Sequence, residues 1–192
     1  MQHSDQPFIE LAKAKEAISA MEKSGSPADF EEQWKEFLRR LERSWSKAQA
    51  HYGKSPKWNG WQGKIDRQRR TDALLSYLVN ARGAEEHTVN EISEIEKDSI
   101  GINPAEGNSL FIEQLEIRSG VITTLRSPQK IRIDFIPGKM RLLPVINRGR
   151  TYGVPTLHLG KQINPEKVVE VARTAFGFYE KVIAEAEAKF VE

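Results

Sequence analysis

The chain has 192 residues, 39% of them hydrophobic and 29% charged, with a net charge of +2 and no cysteine. That length buries one good core, and the missing cysteines exclude disulfides, thiol catalysis and Cys-ligated zinc or iron–sulfur sites. No apolar run approaches the roughly 18 residues a membrane helix needs, and the first residues, MQHSDQPFIELAKAKEA, have no basic start leading into an apolar core, so a soluble cytoplasmic protein without membrane association is expected. The small net charge hides alternating blocks: −1 over 1–51, +5 over 52–70, −6 over 71–108, +6 over 109–163 and −2 over 164–192. Either the basic and acidic blocks face each other within the fold, or a basic block carries an acidic partner such as RNA or DNA.

Over residues 7–23, Leu11, Ala14, Ile18 and Met21 recur at three- and four-residue spacing and predict a first amphipathic helix. It ends at SGSP, where Ser26, Pro27 and Asp29 read as the capped start of a second helix. The stripe of that helix is Phe30, Trp34, Phe37, Leu38, Leu41, Trp45 and Ala48, which makes both tryptophans core residues. The next stretch, YGKSPKWNGWQGK over 52–64, breaks the period with Gly, Pro and Asn and reads as a loop. In it Trp58 and Trp61 are interleaved with Lys57 and Lys64, and Arg67 and Arg70 follow at the start of the next helix. Cations in a first helical turn oppose the helix dipole, whereas cations with exposed aromatic rings suit phosphate contacts and base stacking. The competing reading folds both rings back over the bundle.

A third helix is expected from near Ile65 to about Lys97, with Leu74, Tyr77, Leu78, Ala81, Ala84, Val89, Ile92 and Ile95 on one arc. Glu85 falls inside that arc and Arg82 at its edge, positions where an unpaired charge costs several kcal/mol. From 109 the pattern changes to strands. LFIEQLEI and VITTL flank Ser119-Gly120 as one hairpin, and Ile131, Ile133 and Phe135 lead through Pro137-Gly138 into MRLLPVI as another. Pro144 confines its strand to an edge or a bulge, and His158, between two leucines, reads as a packed histidine. Arg148 and Arg150 beside Gly149 form either a phosphate site or an exposed loop. Asn164 and Pro165 open the last helix, whose apolar arc runs from Val168 to Phe190. The expected architecture is therefore α+β: a bundle of about four helices with an inserted, mainly antiparallel β section between the third and last. As one compact domain, 1–98 and 164–192 form the bundle and 109–163 the β subdomain.

No phosphate-binding glycine loop, HExxH or dinucleotide fingerprint is present, and the four histidines are scattered, so neither cofactor nor metal is called for. Within the third helix, Arg82 and His87 make an Arg, four residues, His spacing in RGAEEH. This resembles the HEPN family, helical-bundle proteins that include metal-independent ribonucleases with an Arg-(four to six)-His motif. The resemblance implies that His87 moves a proton at the 2′-hydroxyl or leaving oxygen, that Arg82 holds the scissile phosphate, and that Glu85 or Glu86 orients them. It also implies a site completed across a homodimer. Because positions five apart diverge by about 140° on a helix, a bend at Gly83 is expected to bring the two side chains together. The phrasing YLVNARGAEEH and PTLHLGK, with a long final helix, also looks like uncharacterised bacterial proteins of this length. The alternative to an endoribonuclease or RNA-binding protein is a non-catalytic interaction module for protein or nucleic acid, in which Arg82 and Glu85 are a structural ion pair.

Overall fold

The computed structural model describes residues 4–87 and 91–191, the side chain of His87 excepted. It is α+β, with five helices and several short antiparallel strand pairs. Its contacts divide the chain into two compact units, one of residues 1–95 with 140–192 and one of residues 96–139. The β section therefore divides: its second half belongs with the helices, and the separate unit begins at 96 where the sequence suggested 109.

In the larger unit, helix α1 (Gln6–Glu22) and helix α2 (Pro27–Tyr52) form an antiparallel hairpin. The turn between them is fixed by Ser26, whose extended backbone and side-chain oxygen, accepting from the Asp29 amide at 3.1 Å, begin α2 where the capping pattern placed it. Among the described buried residues of this hairpin Glu10 is the charged one, and its carboxylate is answered by Arg40 at 2.9 Å and Arg43 at 3.2 Å. Trp34, Phe37, Leu41, Trp45 and Ala48 of α2 are fully covered.

The long third helix is instead two. Helix α3 (Trp58–Thr71) and helix α4 (Ala73–His87) are separated at Asp72, whose backbone turns extended (ψ 133°). Asp72 caps α4 by accepting from the Leu75 amide at 3.0 Å, so a carboxylate suited to an N-cap outweighed the continuous apolar arc. Gly83 lies inside α4, against the chain that returns from the β section. A Cβ there would come within 2.7 Å of the Asn147 amide nitrogen, and that amide donates to Asn80 at 3.0 Å, so the missing side chain admits Asn147 against the helix. Tyr77 donates to the Leu143 carbonyl at 2.8 Å, a second tie between α4 and the returning chain. Of the residues expected on the end of the long helix, Val89 lies outside the described residues, while Ile92 immediately precedes and Ile95 lies in strand β1 (Ser93–Glu96).

The second unit is built from strand β2 (Ser99–Pro104), β3 (Gln114–Arg118), β4 (Val121–Arg126) and β5 (Ile131–Ile136). β3 and β4 form the hairpin expected at Ser119-Gly120, both with positive φ (52° and 79°), the backbone of a tight two-residue turn. The expected Pro137-Gly138 hairpin does not form: β5 pairs with β2, in a segment read as a connector, and β6 (Lys139–Leu142) pairs with β1. A local turn signal lost here to pairing between strands distant in sequence. Two more hairpins follow, β7 (Val145–Asn147) with β8 (Arg150–Tyr152) and β9 (Leu157–His158) with β10 (Lys161–Gln162). Pro144 sits between strands β6 and β7. Helix α5 (Val168–Phe190) then closes the bundle, three residues later than Pro165 suggested, because Asn164 accepts from the Glu166 amide and makes a turn of its own.

Candidate nucleic-acid interface

Helix α3 starts inside the stretch whose Gly, Pro and Asn content read as a loop. Its opening turn places Trp58 and Trp61 on the side facing the end of α5, because residues three apart share a helix face. Trp58 is buried at 2% exposure and packs on Trp45, Tyr52 and Phe190 with ring centroids 5.4–5.9 Å apart. It is a core residue and offers no face to a base, which corrects its assignment as a contact residue. Trp61 lies one layer out, half-buried, 5.0 Å from Trp58 and 5.7 Å from Phe190 between ring centroids. Its indole nitrogen donates to Glu185 of α5 at 2.9 Å.

Outside this aromatic stack a groove of about 610 Å³ runs between α3 and α5. Lys57, Gly60, Trp61, Lys64, Ile65 and Gln68 line it from α3 and the residue before it, and Phe178, Lys181, Val182, Glu185 and Lys189 from α5, with Leu159 at the β9–β10 turn. On each helix these positions recur every three or four residues, so each contributes one stripe with an apolar floor and cationic rim. Lys57, Lys64, Lys181 and Lys189 are all exposed, and the lone carboxylate among the lining residues, Glu185, accepts the Trp61 hydrogen bond. Three of the residues expected to contact nucleic acid, Trp61, Lys57 and Lys64, thus converge here. Arg67 and Arg70 are exposed on α3 but do not line the groove, and Arg148 and Arg150 are exposed around the β7–β8 turn, Arg148 at a φ of 51°. Lys181, Lys189 and Glu185 escaped the sequence reading. Their signal was the i, i+4, i+8 spacing of Lys181, Glu185 and Lys189 beside Phe178, hidden by the much larger apolar arc of α5.

Two charges next to the groove, Arg69 and Asp72, are structural. Arg69 turns inward to Glu42, at 2.5 Å, and accepts company from the Tyr179 hydroxyl, to which it donates at 2.9 Å, with its guanidinium over the Trp45 and Tyr179 rings. Burial works against its charge, but Tyr179 and Glu42 outweigh burial and raise its pKa. The Tyr179 hydroxyl itself is pushed up to about 12, chiefly by burial. Asp72 receives His158 Nδ1 at 2.9 Å and the Leu159 amide at 2.6 Å. Burial favours its neutral form, yet the Leu159 and Leu75 amides, with His158, hold the carboxyl below its usual value. His158 is buried, as expected of a packed histidine, and its ring meets Phe178 edge-on.

At the far end of α4, Arg82 pairs with Glu86 at 2.6 Å, one helical turn on, and Glu85 points to Arg39 of α2 at 3.7 Å. The expected Arg82–Glu85 pair is not the one formed, because the i, i+4 geometry brings Glu86 over Arg82 while Glu85 faces α2. Among the described residues, the buried Nε of Arg82 has no hydrogen-bond partner. His87 is the last residue of α4, and its side chain lies outside the described residues. Among the described residues no helix is long and apolar enough to cross a membrane, and no group of three or more acidic, His or Cys side chains could hold a metal ion.

An α+β protein with a basic groove beside Trp61 is what fold and site define. No protein-family model, no curated protein and no solved structure matches the chain, so its function is read from the groove and from α4.

Proposed function

We propose that this protein binds single-stranded RNA in the groove between α3 and α5, as a non-catalytic module in the first instance. The observation that carries the reading is the convergence of four exposed lysines on a groove whose single carboxylate already accepts a hydrogen bond from Trp61. A phosphate backbone entering there meets four lysines against the one carboxylate of Glu185, and the half-buried Trp61 face is available to a base. Each neutralised phosphate releases condensed counterions, so affinity falls with salt. The test is binding of a fluorescent oligoribonucleotide. The charge reversals Lys64→Glu and Lys181→Glu together should weaken binding at least about tenfold with folding intact, given about 1 kcal/mol for each strong charge contact. Unchanged affinity rules the groove out as the contact surface.

A second reading, cleavage of the strand without metal at a HEPN-like site, rests on one observation: Arg82, about one-third exposed and held by Glu86, stands on α4 five positions before His87. Arg82 then holds the scissile phosphate with Glu86 steadying its outer nitrogen, and His87 takes the proton of the 2′-hydroxyl as the O2′–P bond forms and passes it to O5′ as the P–O5′ bond breaks, leaving a 2′,3′-cyclic phosphate and a 5′-hydroxyl. Glu85, turned toward Arg39, has no part in it. Cleavage in EDTA that disappears in both Arg82→Ala and His87→Ala supports this reading. Cleavage indifferent to both ends it.

A further inference from the structure

Among the residues that line the groove Glu185 is chemically the odd one, a single carboxylate beside four lysines. It is exposed, and Lys181 and Lys189 stand one helical turn to either side of it on α5. Its Oε1 accepts the Trp61 indole N–H at 2.9 Å. An indole N–H donates in the plane of its ring, so the carboxylate stands at the edge of Trp61 and leaves the ring face clear. Trp61 is backed by Trp58 and Phe190, at 5.0 and 5.7 Å between ring centroids. An ionised carboxylate only accepts, through about four lone-pair directions on its two oxygens, and the indole engages one of them.

On the reading of the groove as the RNA site, we infer that Glu185 is its base-reading residue and selects a guanine stacked on Trp61, the carboxylate accepting from guanine N1–H and the 2-amino group. A base on the indole face lies with one edge beside the carboxylate, and in a single strand the Watson–Crick edge is open to be read. Guanine carries two adjacent donors on that edge, with O6 next to them for an ammonium of the rim. Adenine, cytosine and uracil each set an acceptor directly beside their single donor group, and an acceptor facing a carboxylate is repelled. Gln68, which also lines the groove, has both a donor and an acceptor on its amide and turns to suit any base. The bond to Trp61 fixes the carboxylate before RNA arrives, so little side-chain freedom is lost when the base is read.

The experiment is binding of the full chain to short oligouridylates that carry one central guanine, inosine, adenine or cytosine, or none. The guanine strand should bind at least about fivefold tighter than the all-uridine strand, the low end for one bidentate contact to a base. Inosine keeps N1–H and lacks the 2-amino group, so its strand should fall between the two. Glu185→Gln retains a carbonyl oxygen for the Trp61 N–H but replaces the second oxygen with a donor. In that variant, its fold checked by circular dichroism, the guanine preference should shrink below about twofold, while the all-uridine strand binds more tightly because one anion has left the groove. A guanine preference that survives Glu185→Gln, or an inosine strand that binds as tightly as the guanine strand, overturns the inference. Salt-dependent binding with no base preference overturns it and leaves the groove standing as the RNA site, whereas binding of no strand at all overturns both.

Discussion

The helical unit and the ribbon unit both follow the alternation rules of their secondary structure, yet only one of them hides the result. Every buried hydrophobic side chain among the described residues belongs to 1–95 or 140–192, including three tryptophans, while residues 96–139 keep eight large apolar side chains more than two-fifths exposed. Amphipathic pattern says which face of an element is apolar. What covers that face is decided by pairing and assembly, so in the first unit the apolar face is core and in the second it is a surface.

The contrast is broken most sharply by equivalent truncations in the two units. Trp45→Ala, at a fully buried position against Trp58, should cost about 3–5 kcal/mol in urea unfolding, whereas Phe135→Ala should stay within about 0.5 kcal/mol in dilute protein. Comparable losses at both sites would contradict the division into a packed unit and an uncovered ribbon. Arg69→Met should follow, destabilising by roughly 3 kcal/mol because it leaves the Glu42 carboxylate unpaired next to the Tyr179 hydroxyl. Glu42→Gln in the same background should recover part of that loss, and no recovery would mean Arg69 acts by packing alone.

A smaller effect tests the break between α3 and α4. Because the Asp72 carboxyl is held below its usual value in the fold, the unfolded chain binds its proton first. Its contribution is therefore complete above the unfolded value of about 4 and is lost as pH falls through the lower folded value. Asp72→Asn should cost about 0.5–2 kcal/mol at pH 7 and flatten the acid limb of a stability profile between about pH 5 and 2. A limb as steep as wild type's would place the acid sensitivity elsewhere. Smallest of all, Gly83→Ala should cost about 1 kcal/mol: the new Cβ displaces the Asn147 amide from Asn80.

Helices α1 and α2 were legible because their signals agree: the apolar stripe, the Ser26 cap and Pro27 point to one boundary. At Asp72 two local signals conflicted, and the cap won over a continuous stripe that tertiary packing could satisfy from two shorter helices. The pairing of β5 with β2 was illegible for a different reason, since Ile131–Ile136 and Ser99–Pro104 lie about 30 residues apart and only contact across that distance reveals their match. The groove was half legible. Lys57, Trp61 and Lys64 stand close together in sequence with no packing reason for their charge, but Lys181, Glu185 and Lys189 come from the other end of the chain and join them only once α5 folds back. Trp58 shows the limit of composition, being as near to lysines as Trp61 and yet entirely core.

The most direct measurement is the salt dependence of oligoribonucleotide binding to the wild-type chain and to Lys64→Glu with Lys181→Glu. Four phosphate contacts predict a log–log slope of about −3 for the wild type, at about 0.7 per contact on a single strand, with the double variant weaker at least about tenfold and its slope reduced by at least one. Binding that ignores salt, or that is the same in both proteins, would contradict the groove as the RNA site.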